Sequence, residues 1–125
     1  MVLRVAPLLR PDGVTALTDS RTPGAARLPR VEVEYCTQCR WLLRGAWVAQ
    51  ELLQTFRDRL GEVALVPGTG GVFRVTVDDG SAAVTIFDRA VDGGMPDIVE
   101  LKRRLRDEIA PDLALGHADR RGGGS

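Results

Sequence analysis

The feature that most constrains the fold of this chain is a change of hydrophobic period on either side of residues 36–39. Before them, residues 31–35 alternate strictly between apolar and polar side chains, which is typical of a half-buried strand. After them, apolar residues recur at steps of three and four, which is typical of an amphipathic helix. We assign its apolar face to Leu42, Ala46, Ala49, Leu53, Phe56 and Leu60, widened by Leu43, Trp47 and Leu52.

Two glycines bear on this predicted helix. Gly61 is well placed to end it as the residue just beyond its last turn. Gly45 lies in its middle, where glycine costs up to about 1 kcal/mol relative to alanine. A close approach of another backbone at Gly45 would account for that cost.

The rest of the core contains three more strands and a second helix. Residues 62–66 form a short apolar strand that a glycine-rich turn at 67–71 closes. The strand carrying Phe73, Val75 and Val77 pairs with residues 82–87 through the Asp79-Gly80 hairpin turn. The last helix buries Ile98, Leu101, Leu105 and Ile109. The first strand, the first helix and the second strand make a βαβ unit, whose two strands are parallel. The whole order predicts an α/β, thioredoxin-like β-α-β-β-β-α fold with a mixed four-stranded sheet and two helices.

The two ends of the chain differ in composition from this core. Residues 1–29 contain four prolines and no sustained period, so we predict a flexible N-terminal arm. The folded domain is expected at 30–111, and residues 112–125 are predicted to be a flexible C-terminal tail.

Charge and hydropathy argue against two classes of partner. Lys+Arg and Asp+Glu both number 17, so the chain has no net field to attract nucleic acid or anionic lipid. The basic run at 102–106, which includes the only lysine, Lys102, has acidic neighbours and is interpreted as a solvated helix face. No apolar stretch is long enough to span a membrane, and the N-terminal residues do not make a signal peptide. We therefore expect a cytoplasmic protein.

The two cysteines, Cys36 and Cys39, are the candidate chemical centre. In a reducing compartment a close pair is more often redox-active or metal-binding than a structural crosslink. The pair lies where the first strand gives way to the first helix, and free amides there stabilise a thiolate. Thr37 is predicted to cap the helix, which would place Cys39 in its first turn, and Arg40 adds a positive charge.

Simpler interpretations stand beside this one. Half a zinc site has the same C-x-x-C spacing, but only His117 is left as a further cysteine or histidine ligand. An inert structural pair is a further alternative. Trp47 is predicted to be core, whereas Trp41 suits either the core or a groove for a partner. The glycines at 68, 70 and 71 do not match a phosphate-binding motif, so the run is interpreted as a turn.

Several separated motifs resemble one known family. The run at 33–44, the Pro67–Phe73 segment, Gly93-Gly94-Met95-Pro96 and Leu115-Gly116-His117 resemble the selenoprotein W-like (SelT/SelW/SelH, Rdx) family. The resemblance implies a thioredoxin-like fold, a C-x-x-C redox motif, and protein thiols or glutathione as partners. We expect no cofactor and no metal. Because selenocysteine occupies the second motif position in selenium-containing members, the resemblance also implies Cys39 as nucleophile and Cys36 as resolving thiol.

Two functional hypotheses follow. The first is a thiol–disulfide oxidoreductase or redox sensor that exchanges disulfides with proteins or glutathione through Cys36 and Cys39. The second is a non-enzymatic adaptor that binds partners with its thioredoxin-like surface and has a redox-sensitive cysteine pair. Turnover distinguishes them, because an oxidoreductase must cycle its disulfide and an adaptor need not.

Overall fold

A computed structural model describes residues 26–116 of the chain. The strands are β1 (Arg30–Cys36), β2 (Glu62–Gly68), β3 (Phe73–Asp78) and β4 (Ala83–Asp88). The helices are α1 (Leu42–Phe56), α2 (Arg89–Asp92) and α3 (Ile98–Ile109), and a short 3-10 turn, Arg57–Arg59, follows α1. The predicted order is confirmed, with the one-turn helix α2 as an addition. In this part of the chain no helix is long and apolar enough to cross a membrane.

The four strands form one mixed sheet in the order β2-β1-β3-β4. β1 and β2 are parallel, with Cys36 opposite Gly68 at their carboxyl ends. β3 is antiparallel to both β1 and β4. As a result, the end of β1, the end of β2, the start of β3 and the end of β4 all lie at one edge of the sheet. The predicted α/β, thioredoxin-like architecture agrees with this topology.

Both long helices cover the same face of the sheet. The inward residues of β1 and β3 alternate as predicted, and Val31, Val33, Phe73 and Val75 are fully buried. They join residues of α1 and α3 in a single hydrophobic cluster. A partly buried ion pair, Lys102 Nζ to Glu51 Oε1 at 2.9 Å, links the two helices.

The buried face of α1 differs from the predicted one. Its buried residues are Gly45, Val48, Ala49, Leu52 and Phe56. Of the residues assigned to the core from the sequence, four are largely exposed: Leu42 at 48%, Leu43 at 82%, Trp47 at 50% and Leu53 at 38%. The prediction that Trp47 is core is therefore wrong.

Gly45 explains the rotation of this face. A β-carbon on Gly45 would come 3.1 Å from Leu65 Cδ2 and 3.6 Å from Val33 Cγ1. The helix thus lies against β1 and β2 through its smallest residue. The close neighbours of Gly45 are side chains and not the backbone that the sequence suggested. Leu43 and Trp47, the bulky residues on either side of that contact, are exposed to solvent.

Gly61 has a different role from the one predicted. The helix ends at Phe56. The residue with a positive φ that follows its last turn is Arg57, with a φ of 50°, and not Gly61. Gly61 instead donates from its amide to Pro29 O at 2.8 Å, and a β-carbon there would come 2.5 Å from the Arg27 carbonyl carbon. The described residues before β1 therefore contact the domain at Gly61.

The segments assigned to the arm and the tail are described only in part. Arg27 N donates to Glu62 Oε1 at 2.8 Å, so residues 26–29 contact the start of β2. At the other end, Leu113 and Leu115 lie half-buried against the core. Residues 1–25 and 117–125, on which most of the predicted arm and tail fall, lie outside the described residues.

The basic run of α3 is paired with acidic groups. Besides the Lys102–Glu51 pair, Arg103 bonds Glu100, Arg104 bonds Asp92 at 3.2 Å and Arg106 bonds Asp107 at 2.9 Å. Lys102 is also buried. The run is therefore an ion-paired helix face in which Lys102 faces inward rather than toward solvent.

Candidate functional site

The candidate site forms where the segments after β1 and β2 meet. Because β1 and β2 are parallel, their carboxyl ends lie at one edge of the sheet, and the segments that follow them are neighbours. Thr37 joins the two segments: its amide and its hydroxyl both donate to Gly68 O, at 3.0 and 3.1 Å. We call residues 37–41 the cysteine turn and residues 69–72 the glycine loop.

The cysteine turn delays the helix by one turn relative to the prediction. Arg40 N donates to Thr37 O at 3.1 Å and Trp41 N to Cys36 O at 3.3 Å, and Arg40 has a φ of 59°. A left-handed residue interrupts a right-handed helix, so α1 begins only at Leu42 with Trp41 as its N-cap. The predictions that Thr37 caps the helix and that Cys39 lies in its first turn are therefore wrong.

The two sulfurs are close together but differ in accessibility. Cys36 is fully buried at the end of β1, whereas Cys39 is exposed in the cysteine turn. Gly71 N donates to Cys36 Sγ at 3.2 Å, and the Cys39 side chain is near enough to interact with the Cys36 sulfur. Both cysteines are free thiols in this structure.

These contacts shift the two thiols in opposite directions. The hydrogen bond from Cys39 lowers the pKa of Cys36 below its usual value, and the Gly71 amide assists, although burial opposes them. The same hydrogen bond raises the pKa of Cys39, because Cys39 must keep its proton to donate it. The sequence prediction of a lowered pKa for Cys39 is therefore wrong for the coupled dithiol.

The glycine loop is a part of the site that sequence reasoning interpreted only as a turn. Gly70 and Gly71 have φ of 72° and 76°, which glycine adopts without strain. This conformation directs the Gly71 amide at Cys36 and the Gly70 amide at Gln38 Oε1, 3.5 Å away. The parallel order of β1 and β2, which the sequence did predict, was the available signal that this loop faces the cysteines.

An aromatic and cationic wall stands beside the cysteine turn. Trp41 packs edge-on against Phe73, with ring centroids 6.4 Å apart, and is half-buried. The guanidinium carbon of Arg89 lies 5.0 Å from the centroid of the Trp41 ring. The positive charge of Arg89 favours the thiolate of Cys39 and so acts against the raised pKa. Arg89 was missed in the sequence because the one-turn helix α2 was not predicted.

Metal-binding groups do not gather around the pair within the described chain. Between residues 26 and 116 there is no cluster of three or more His, Cys, Asp or Glu side chains arranged to hold a metal ion. His117, the additional ligand considered for zinc, lies outside the described residues.

Comparisons with known proteins agree on one family. A family model described as the Rdx family matches residues 30–107. A protein from Bordetella parapertussis of known crystal structure is 59% identical, with a TM-score of 0.59 over 64% of this chain and 96% of that chain. A selenoprotein W-related protein from Vibrio cholerae is 45% identical, with a TM-score of 0.59 over 64% of this chain and 95% of its own. No curated protein matches this chain.

Proposed function

This chain belongs to the Rdx family, and from that premise we propose that it is a thiol–disulfide protein that exchanges disulfides through Cys36 and Cys39. The observation that carries the proposal is the placement of two free thiols at the end of β1, where exposed Cys39 lies beside buried Cys36 and the Cys36 sulfur accepts from Gly71 N at 3.2 Å. Two neighbouring thiols need only small side-chain movements to form a disulfide. Protein thiols and glutathione are the proposed partners.

Access and hydrogen bonding suggest an order of events. A partner disulfide can reach Cys39 but not Cys36, which is fully buried. Cys36, whose pKa is lowered, first loses its proton to water. The Cys39 proton then passes to the Cys36 thiolate, and the Cys39 thiolate attacks the partner disulfide and releases one thiolate, which takes a proton from water. Cys36 then loses its proton and attacks Cys39 Sγ, which releases the second partner thiol. In total one disulfide is reduced to two thiols and the cysteine pair is oxidised by two electrons.

The test is oxidation of the purified protein followed by mass measurement. After mild oxidation we expect the intact mass to fall by two hydrogen atoms and both alkylation sites to disappear together. A Cys36→Ala, Cys39→Ala double variant is the control and should not change. Cysteines that resist alkylation until a chelator is added would indicate zinc binding instead and would contradict the proposal.

The adaptor alternative is favoured by a separate observation. Leu43 and Val91 are each 82% exposed and Trp47 is 50% exposed, so apolar surface is available for a partner. The two candidates differ in turnover. With glutathione as the reductant, an oxidoreductase reduces many equivalents of a protein disulfide, whereas an adaptor stops after one.

A further inference from the structure

Charge around the cysteine pair is not balanced as it is over the whole chain. Arg40, Arg44 and Arg89 are exposed, and none of them forms an ion pair with another residue between 26 and 116. We call these three residues the arginine rim. A formal net charge of zero for the whole chain therefore conceals a locally positive edge.

Two of the three arginines lie beside Cys39, and the third lines a neighbouring cleft. Arg40 follows Cys39 directly in the cysteine turn, and Arg89, whose charge acts on Cys39, packs over Trp41 at the end of the same turn. Arg44 belongs to the first turn of α1 and lines a small cleft whose other walls are Trp47, Val48, Phe73, Met95 and Pro96. Phe73 in turn packs against Trp41, so the cleft continues to the cysteine turn.

Carboxylates at this end of the sheet offset only part of the charge of the arginine rim. Arg74 bonds both Glu34, at 3.0 Å, and Asp88, at 3.3 Å, so these three residues together carry one net negative charge. Asp92 bonds Arg104 at 3.2 Å, and the charges of that pair balance. Among these groups the three rim arginines outnumber the single net negative charge, so a positive excess remains near the sulfur that a substrate can reach.

We propose that the arginine rim selects disulfide substrates that carry carboxylates close to the S–S bond. This inference rests on the proposed function and names its substrate class. The reaction is the exchange described above: the protein dithiol and an anionic disulfide give the protein disulfide and two anionic thiols. The carboxylates come either from a small anionic disulfide or from acidic residues that flank a protein disulfide, and both sources share this chemistry.

Coulomb's law sets the size of the expected effect. In water, one pair of unit charges about 8 Å apart changes the probability of an encounter by about twofold. Three arginines acting on two carboxylates should therefore separate anionic from cationic substrates by about tenfold or more at low salt. The distance over which salt screens charges falls from about 10 Å at 0.1 M to about 3 Å at 1 M. Most of this preference should therefore disappear as the salt concentration rises toward 1 M.

The experiment compares three small disulfides that differ in charge but little in shape. They are dithiodipropionate with two carboxylates, hydroxyethyl disulfide with none, and cystamine with two ammonium groups. Reduced protein is mixed with each, and the loss of free thiol is followed over time. The rate with each disulfide is divided by the rate at which dithiothreitol, a neutral dithiol, reduces the same disulfide. This normalisation removes differences in intrinsic reactivity between the disulfides. Any change in the fraction of Cys39 that is present as thiolate affects the anionic and the cationic rates equally and cancels in their ratio.

Variants identify the charges responsible. Arg40→Gln, Arg44→Gln and Arg89→Gln should each lower the anionic-to-cationic ratio by about two- to threefold, and Arg89→Lys should retain it. Arg57→Gln is the matched control, because Arg57 is an exposed arginine at the opposite end of α1. An unmodified protein whose normalised ratio is near one at low salt would overturn the proposal. So would a loss of selectivity in Arg57→Gln equal to that in the rim variants.

Failure of the proposed function has a different signature. A protein that does not react even with the neutral disulfide lacks exchange activity altogether, whereas equal rates with all three leave the activity and remove only the selectivity. Peptide disulfides flanked by Glu or by Gln separate the two sources of carboxylate. A faster Glu peptide extends the preference to acidic protein segments, and equal peptide rates confine it to small anionic disulfides.

Discussion

At the scale of single residues, accessibility and a lowered pKa, the two properties of an attacking thiol, are found on different cysteines of the site. Cys39 is accessible but donates its proton, which raises its pKa, whereas Cys36 accepts hydrogen bonds, which lower its pKa, but is fully buried. From the sequence, Cys39 was expected to have the lowered pKa. That expectation assumed a helix capped by Thr37, and the left-handed Arg40 cannot be inferred from an arginine in the sequence.

The first prediction separates access from acidity by using single-cysteine variants. Cys36→Ala leaves exposed Cys39 without its acceptor, and Cys39→Ser leaves buried Cys36 with the Gly71 amide and a serine donor. With iodoacetamide we expect the faster plateau rate from the Cys36→Ala protein, because its sulfur is accessible. We expect the lower pH midpoint from the Cys39→Ser protein, because its thiolate retains hydrogen-bond donors. Rates over a pH range on both sides of about 8.5 measure both quantities.

Either half of that prediction can fail separately. A faster plateau in Cys39→Ser would make Cys36 the attacking thiol and would reverse the order of events proposed above. A midpoint in Cys39→Ser at or above that in Cys36→Ala would mean that burial of Cys36 outweighs its hydrogen bonds.

The second prediction tests the Gly71 amide against a glycine of a separate loop. Gly71→Val and Gly94→Val both place a β-branched residue at a φ above 60°, which such residues avoid, so both backbones should rotate. Gly71 directs its amide at Cys36, whereas Gly94 lies in the loop between α2 and α3. In the Cys39→Ser background we therefore expect Gly71→Val to raise the pH midpoint of alkylation and Gly94→Val to leave it close to the parent. Equal midpoints in the two variants would remove the amide from the account of Cys36.

At the scale of elements, the sequence predicted strands better than it predicted the face of the helix. Period-two alternation identified the buried side of β1 and β3 correctly, because the spacing of a strand leaves only two faces. On α1 the bulky residues Leu43 and Trp47 suggested the wrong orientation. The helix contacts the sheet through Gly45 and Ala49, and a glycine contributes nothing to a count of apolar side chains.

The third prediction measures the close contact at Gly45. Gly45→Val adds atoms where a β-carbon would already be 3.1 Å from Leu65 Cδ2, so overpacking should destabilise the protein by about 1–3 kcal/mol. Gln50→Val is the control, because it introduces the same β-branched residue at an exposed position of α1. Urea unfolding monitored by circular dichroism gives both values. Valine has a higher helix propensity than glycine, so a loss of stability in Gly45→Val cannot come from propensity. A Gly45→Val protein that is no less stable than the Gln50→Val protein would contradict the close packing of α1 on the sheet.

At the scale of the whole molecule, strand order decides which distant residues meet. The predicted βαβ unit and hairpin already imply that the glycine loop and the residues after β4 share an edge with the cysteines. Arg89 and Gly71 were therefore within reach of a topological argument from the sequence. The charge pattern could not be predicted in this way, because it depends on which carboxylates form ion pairs. The ion pairs of Arg74 and Arg104 join strands and helices that are distant in sequence.

The fourth prediction concerns where the folded molecule begins. Residues 1–25 lack hydrophobic periodicity, so their removal should leave Tm within about 2 °C of the full chain, well below the shift that a loss of 1 kcal/mol produces. Removal of residues 1–29 should behave differently, because it deletes the Pro29 carbonyl that accepts from Gly61 N at 2.8 Å and Glu62 N at 3.4 Å. It also deletes the Arg27 amide that donates to Glu62 Oε1 at 2.8 Å.

At about 0.5–1.5 kcal/mol for each hydrogen bond, the longer deletion should cost roughly 2 kcal/mol, or about 10 °C in Tm. Differential scanning calorimetry of the two truncated chains beside the full chain provides the comparison. An equal, large fall in both would mean that residues 1–25 stabilise the domain and that the predicted arm is part of the fold. Equal stability of both would mean that the contacts at Gly61 contribute nothing measurable, and the folded unit would then begin at Arg30, the first residue of β1.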